Sequence, residues 1–148
     1  MILKRGGFTI LEALVVIIVF ILMVVILTPF VQLIRERSHI INCANNLRRI
    51  SIGLHMYAAD HDDAFPPDLG SLYPGYVREE QVFDCPANKF IGTAAKSDYE
   101  YISGLSELSM PVEVIIYDRD GNHNSRGRNI VRVNGSVEWA HSAEGKPR

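Results

Sequence analysis

From Phe8 to Val31 the chain runs 24 residues with a single charged side chain, Glu12. As a helix rising about 1.5 Å per residue this segment spans roughly 36 Å, more than the hydrocarbon core of about 30 Å. That is enough to cross a bilayer. A secretory signal peptide is excluded, because the apolar run exceeds the usual length and no A-x-A-like triplet follows it. Lys4 and Arg5 precede the run with no acidic residue beside them, which keeps the N-terminus in the cytoplasm. Arg35 and Arg37 on the far side are separated by Glu36 and follow the long translocated helix. The rest of the chain is then expected outside the cytoplasmic membrane. Near the centre of a span a carboxylate costs about 2.5–3.5 kcal/mol, and less near its edge, so Glu12 calls for a partner.

Residues 8–34 form the membrane segment and 35–148 a head large enough for one modest core. The formal net charge is −2 and no basic run suggests a phosphate-tracking surface, so no nucleic acid partner is expected. Beyond Pro29, apolar or small residues recur at Ile40, Cys43, Ala44, Leu47, Ile50, Leu54, Tyr57 and Ala58, one face of a helix. Asn42, Asn45, Asn46, Arg48, Arg49 and His55 are mostly off that stripe. Gly53 reads as a mild interruption, and the helix should end between Asp60 and Pro66. A loop-rich stretch follows, with Asp68 able to cap a short turn. Val112–Asp118 reads as a buried strand, and 129–133 and 136–139 as a hairpin around Asn134-Gly135. The expected fold is α+β: a long N-terminal helix, one half membrane-spanning and one half amphipathic, packed against a small, three-stranded antiparallel sheet.

No nucleophile elbow, Walker loop or dinucleotide glycine pattern is present, and no enzyme activity is expected. His39, His55, His61, His123 and His141 lack metalloprotease spacing and read as surface residues. Asp60, Asp62 and Asp63 read as a solvated helix end. Asp118, Asp120 and Asn122 place oxygen donors at alternate positions, as calcium loops do, but the later glutamate is missing and a turn between strands is the simpler account. Cys43 and Cys85 would lie in an oxidising space, where pairs of cysteines more often bridge. A bridge would close a loop of about 40 residues and contribute about 3–4 kcal/mol; two buried free thiols are the alternative. Trp139, Tyr73, Tyr76, Tyr99 and Tyr101 read as packing residues.

The stretch Gly6-Gly7-Phe8-Thr9-Ile10-Leu11-Glu12 resembles the processing site of type IV prepilins and of the pseudopilins of type II secretion. The resemblance implies a leader, 1–7, removed by a prepilin peptidase between Gly7 and Phe8, and N-methylation of Phe8. Glu12 is fifth after the cut and Pro29 twenty-second after Gly7, positions where that family carries glutamate and often proline. It further implies assembly through the N-terminal helix, with Glu12 facing the Phe8 amine of a neighbouring copy. The implied partners are copies of the chain, other pilin-like subunits and an assembly platform in the bacterial inner membrane. The head resembles the major pseudopilin, whose calcium site near the C-terminus keeps Asp118, Asp120 and Asn122 as candidate calcium ligands; no other cofactor is implied. The competing expectation is a membrane-anchored extracytoplasmic binding module that never polymerises and has no need of Glu12.

Overall fold

The computed structural model describes residues 9–88, 91–123 and 127–141. By its internal contacts the chain divides into two compact units, Met1–Arg35 and Glu36–Arg148. A single helix, α1, runs from Ile10 to Asp60. Isoleucine and valine are only fair helix formers in water, because branching at Cβ costs side-chain freedom. In hydrocarbon that preference yields to the need to satisfy every backbone N–H within the segment. From Ile10 to Ile34 the side chains are exposed apart from the half-buried Ala13, and this stretch is long and apolar enough to cross a membrane. Pro29 lies inside the helix and supplies no N–H to the carbonyl four residues back. One residue earlier, the Thr28 hydroxyl donates to the Val24 carbonyl at 2.7 Å.

In the second unit α1 buries Cys43, Leu47, Ile50, Ser51, Gly53, Leu54 and Ala58, the expected stripe widened by a serine and a glycine. The helix stops as proposed. Asp62 and Asp63 take left-handed φ values of 52° and 62°, and the N–H groups of His61 and Asp63 both reach back to the Ala58 carbonyl at 3.0 Å, which satisfies an acceptor of the last helical turn. A short 3-10 turn, Leu69–Leu72, is capped by Asp68, whose Oδ1 accepts from Ser71 N at 2.9 Å. A second spans Glu80–Phe83.

The sheet has four strands where three were expected: β1 Tyr99–Tyr101, β2 Val114–Asp118, β3 Gly127–Arg132 and β4 Val137–His141. Each pairs antiparallel with the next, in the order β1-β2-β3-β4. The additional strand β1 is three residues long, too short for a period-2 pattern to show. The β3–β4 turn also differs in kind from a two-residue Asn-Gly turn. Arg132 N bonds Ser136 O at 3.0 Å and Gly135 N bonds Arg132 O at 2.9 Å, with Gly135 at φ 80°. This is a three-residue loop closed by a left-handed glycine.

The core lies between α1 and the sheet. Leu47, Ile50 and Leu54 pack in one cluster with Leu72, Phe83, Ile115, Ile116 and Val131. Gly53 belongs to this contact rather than interrupting the helix, since a Cβ there would stand 2.7 Å from Val77 Cγ2 and 3.7 Å from the Tyr76 carbonyl. Replacing it with leucine overfills the space, a cost of about 1–3 kcal/mol that outweighs the helix-propensity gain of about 1 kcal/mol. Chemical denaturation of the full chain in detergent should show Gly53→Leu less stable than wild type, and equal midpoints would contradict this account of the glycine.

Candidate functional site

The N-terminal half of α1 carries its one charge in the first turn. Thr9 stands just before the helix, and its hydroxyl accepts from Glu12 N at 3.2 Å while its carbonyl accepts from Ala13 N at 3.1 Å. Thr9 is therefore the N-cap and Glu12 the third helical residue, the T-x-x-E spacing of a capping box. A carboxylate at this end also faces the positive end of the helix dipole. The spacing of Thr9 and Glu12 carries this local role in the sequence itself, separately from any distant partner of the carboxylate. Gly7 and Phe8, the expected cleavage and methylation positions, lie outside the described residues.

In the head, four chemically active side chains from four separate places converge. Cys43 comes from α1, Cys85 from the segment after the second 3-10 turn, Asp118 from the end of β2 and His123 from the turn that follows. One ligand-capable atom from each lies within 4.8 Å of all the others, and all four residues are buried. His123 Nε2 stands 3.1 Å from Asp118 Oδ2 and 4.0 Å from Cys85 Sγ. Trp139 packs its ring edge-on to His123, 5.7 Å between centroids, and shields the cluster from one side. Each folding element has a reason to deliver its residue. Cys43 starts the buried stripe of α1, the buried Asp98 carboxylate holds Cys85 N at 3.1 Å, and Asn122 Nδ2 pins the turn before His123 to the Asp98 carbonyl at 3.1 Å.

Asp118 is the most buried charged residue among the described residues of the head. Its Oδ2 accepts from Asn129 N and from Asn129 Nδ2, both at 2.8 Å. The same Asn129 amide donates to the Ile40 carbonyl at 3.2 Å, so one side chain joins α1, β2 and β3. Asp118 Oδ1 and His123 Nδ1 are buried without a hydrogen-bond partner among the described residues. The electrostatics are shared. The hydrogen bond to Cys85, and then burial, hold the Cys43 thiol far above its ordinary range. The hydrogen bond from Cys43 draws Cys85 down to about 6 against the opposing effect of burial, with His123 adding to it. Burial works against a charge on His123, but its hydrogen bonds to Asp118 and Cys85 prevail and raise it to about 9.

Several sequence expectations change here. Cys43 and Cys85 are two free, buried thiols rather than a bridge. His123 is buried instead of a surface residue, and His55 is half-buried, pairs with Glu107 and packs edge-on against Phe65 at 5.7 Å. Asn46, expected off the buried stripe, is half-buried and donates to the Asp84 carbonyl at 2.9 Å. The candidate calcium ligands turn to different partners: Asp118 enters the cysteine–histidine cluster, exposed Asp120 pairs with Arg128, and Asn122 bonds the Asp98 carbonyl. Asp60, Asp62 and Asp63 are exposed at the helix end, as expected.

Comparison of the chain with protein-family models, with curated proteins and with solved structures finds no match. Asn129 is the residue on which the geometry of the cluster turns. Hydrogen bonds to a charged group contribute about 1.5–3 kcal/mol, and a buried carboxylate stripped of them costs more than the bonds alone. Asn129→Leu should therefore lower the unfolding free energy by about 2–4 kcal/mol. A loss under half a kilocalorie in a denaturation series would contradict the role given to it.

Proposed function

We propose that this chain is a structural subunit of a type II secretion pseudopilus or type IV pilus-like filament, cut between Gly7 and Phe8, methylated on Phe8 and assembled through α1. The observation that carries the reading is the pairing of a membrane-length apolar helix with one carboxylate in its first turn, immediately after a Lys-Arg-Gly-Gly leader. Every large apolar side chain from Ile10 to Leu27 is exposed, a face that lipid covers before assembly and neighbouring helices cover after it. Cleavage creates an amine on Phe8. In a bundle of such helices that amine and the Glu12 carboxylate are each costly alone and tolerated as a pair. The head stays outside the cytoplasm, and the partners are other copies, related subunits, the prepilin peptidase and an inner-membrane assembly platform.

The capping role of Glu12 makes a sharp test possible. Glutamine can serve as the third residue of a capping box but carries no charge. Intact mass of protein from its native membrane should show loss of residues 1–7 and gain of one methyl group. Glu12→Gln protein should be cut normally and remain in the membrane, yet fall at least about tenfold in the sheared filament fraction, a difference of about 1.4 kcal/mol in assembly. If Glu12→Gln assembles like wild type while Glu12→Leu does not, the carboxylate acts by capping and the pairing mechanism is wrong. An unprocessed N-terminus would remove the filament reading altogether and leave the anchored binding module.

A further inference from the structure

We infer that Cys43, Cys85, Asp118 and His123 bind one zinc ion in a closed, structural site that fastens α1 to the sheet and to the segment between them. The ligand set is two sulfurs, one imidazole nitrogen and one carboxylate oxygen, all donors that zinc accepts, in the number that fills a tetrahedron. For bond lengths of about 2.3 Å to sulfur and 2.0–2.1 Å to nitrogen and oxygen, the edges of that tetrahedron are roughly 3.3–3.8 Å. The 4.0 Å between His123 Nε2 and Cys85 Sγ, and the upper limit of 4.8 Å on every separation, are reached from that range by side-chain shifts of under about an ångström.

Charge and burial point the same way. Two cysteines, an aspartate and a histidine with fully buried side chains form a group that water does not reach. As ligands they would bring up to three negative charges into the core, which a divalent cation reduces to one. Asp118 has a carboxylate oxygen, Oδ1, buried and without a hydrogen-bond partner among the described residues. Its other oxygen is held by both Asn129 donors, the outer-shell support that orients a ligating carboxylate. Two sulfurs exclude calcium or magnesium, which take oxygen. All four positions come from the protein in a buried pocket, which leaves none for a substrate and makes the site structural rather than catalytic. A disulfide between Cys43 and Cys85 would use the sulfurs alone and leave Asp118 Oδ1 without a partner among the described residues.

The test uses the full chain purified in detergent without added metal. Elemental analysis should find one zinc per chain. Replacing the zinc with Co²⁺ should give thiolate-to-cobalt charge-transfer absorption and the intense visible bands of tetrahedral cobalt. Stripping the metal with a chelator should lower the melting temperature by at least about 10 °C. Cys43→Ser and His123→Asn should each lose the cobalt spectrum, while His61→Asn, exposed at the end of α1, should keep it. If the ligand variants fail to fold, the wild-type spectrum and stoichiometry still decide. Folded protein with no bound zinc and no cobalt bands overturns the inference, and so does a Cys43–Cys85 disulfide found by non-reducing peptide mapping. Iron or copper in place of zinc overturns the assignment of the ion.

Discussion

A carboxylate with no access to water must be held by something, and in this head the arrangement of three elements follows from how Asp118 is held. Asn129 gives it a backbone and a side-chain donor, and spends the other hydrogen of that amide on the Ile40 carbonyl of α1. His123 approaches from the adjoining turn, and the two cysteines close the group from α1 and from the loop segment. A hydrophobic core alone would allow a helix to slide or rotate against a sheet at small cost, because apolar packing is not directional. A buried polar group is satisfied in one arrangement only. The register of α1 against β2 and β3 is set at this point.

The same helix obeys two different solvents. From Ile10 to Ile34 its surface is almost wholly apolar, which suits lipid or the flanks of identical helices; from Cys43 to Ala58 it buries one face, which suits a core. In the first stretch every deviation from uniform apolarity is therefore informative. Glu12 is placed where the helix dipole and the Thr9 cap accept it, and Thr28 returns its hydroxyl to the backbone at Val24. In the second stretch the informative residues are the small ones. Gly53 lets the loop at Tyr76 and Val77 approach the helix closely, and Ser51 lies in the buried face beside Gly135 of the β3–β4 loop.

Features with a local signature were legible in the sequence. The stripe of Cys43, Leu47, Ile50, Leu54 and Ala58 follows from helical periodicity, the end near Asp60 from the prolines beyond it, and the β3–β4 hairpin from Asn134-Gly135. The fourth strand was not, because β1 is three residues long and owes its conformation to pairing with β2 rather than to its own pattern. The type of the β3–β4 loop depends on strand register, which a dipeptide does not specify. The cysteine–histidine–aspartate cluster was hidden for a different reason: its members are separated by 42, 33 and 5 positions, a spacing no short motif captures. Taken singly, the two cysteines suggest a bridge, Asp118 a calcium ligand and His123 a surface residue. The fold brings them together, and only distance reveals that they share one chemistry.

The direct measurement is the X-ray absorption spectrum of the full chain at the zinc edge, which counts the atoms bound to the metal without any variant. The account predicts a four-coordinate zinc with two sulfurs at about 2.3 Å and two nitrogen or oxygen neighbours at about 2.0–2.1 Å. A shell of nitrogen and oxygen alone, or a single sulfur, would contradict it, because Cys43 and Cys85 would then not both reach the ion that is held to join α1 to the sheet.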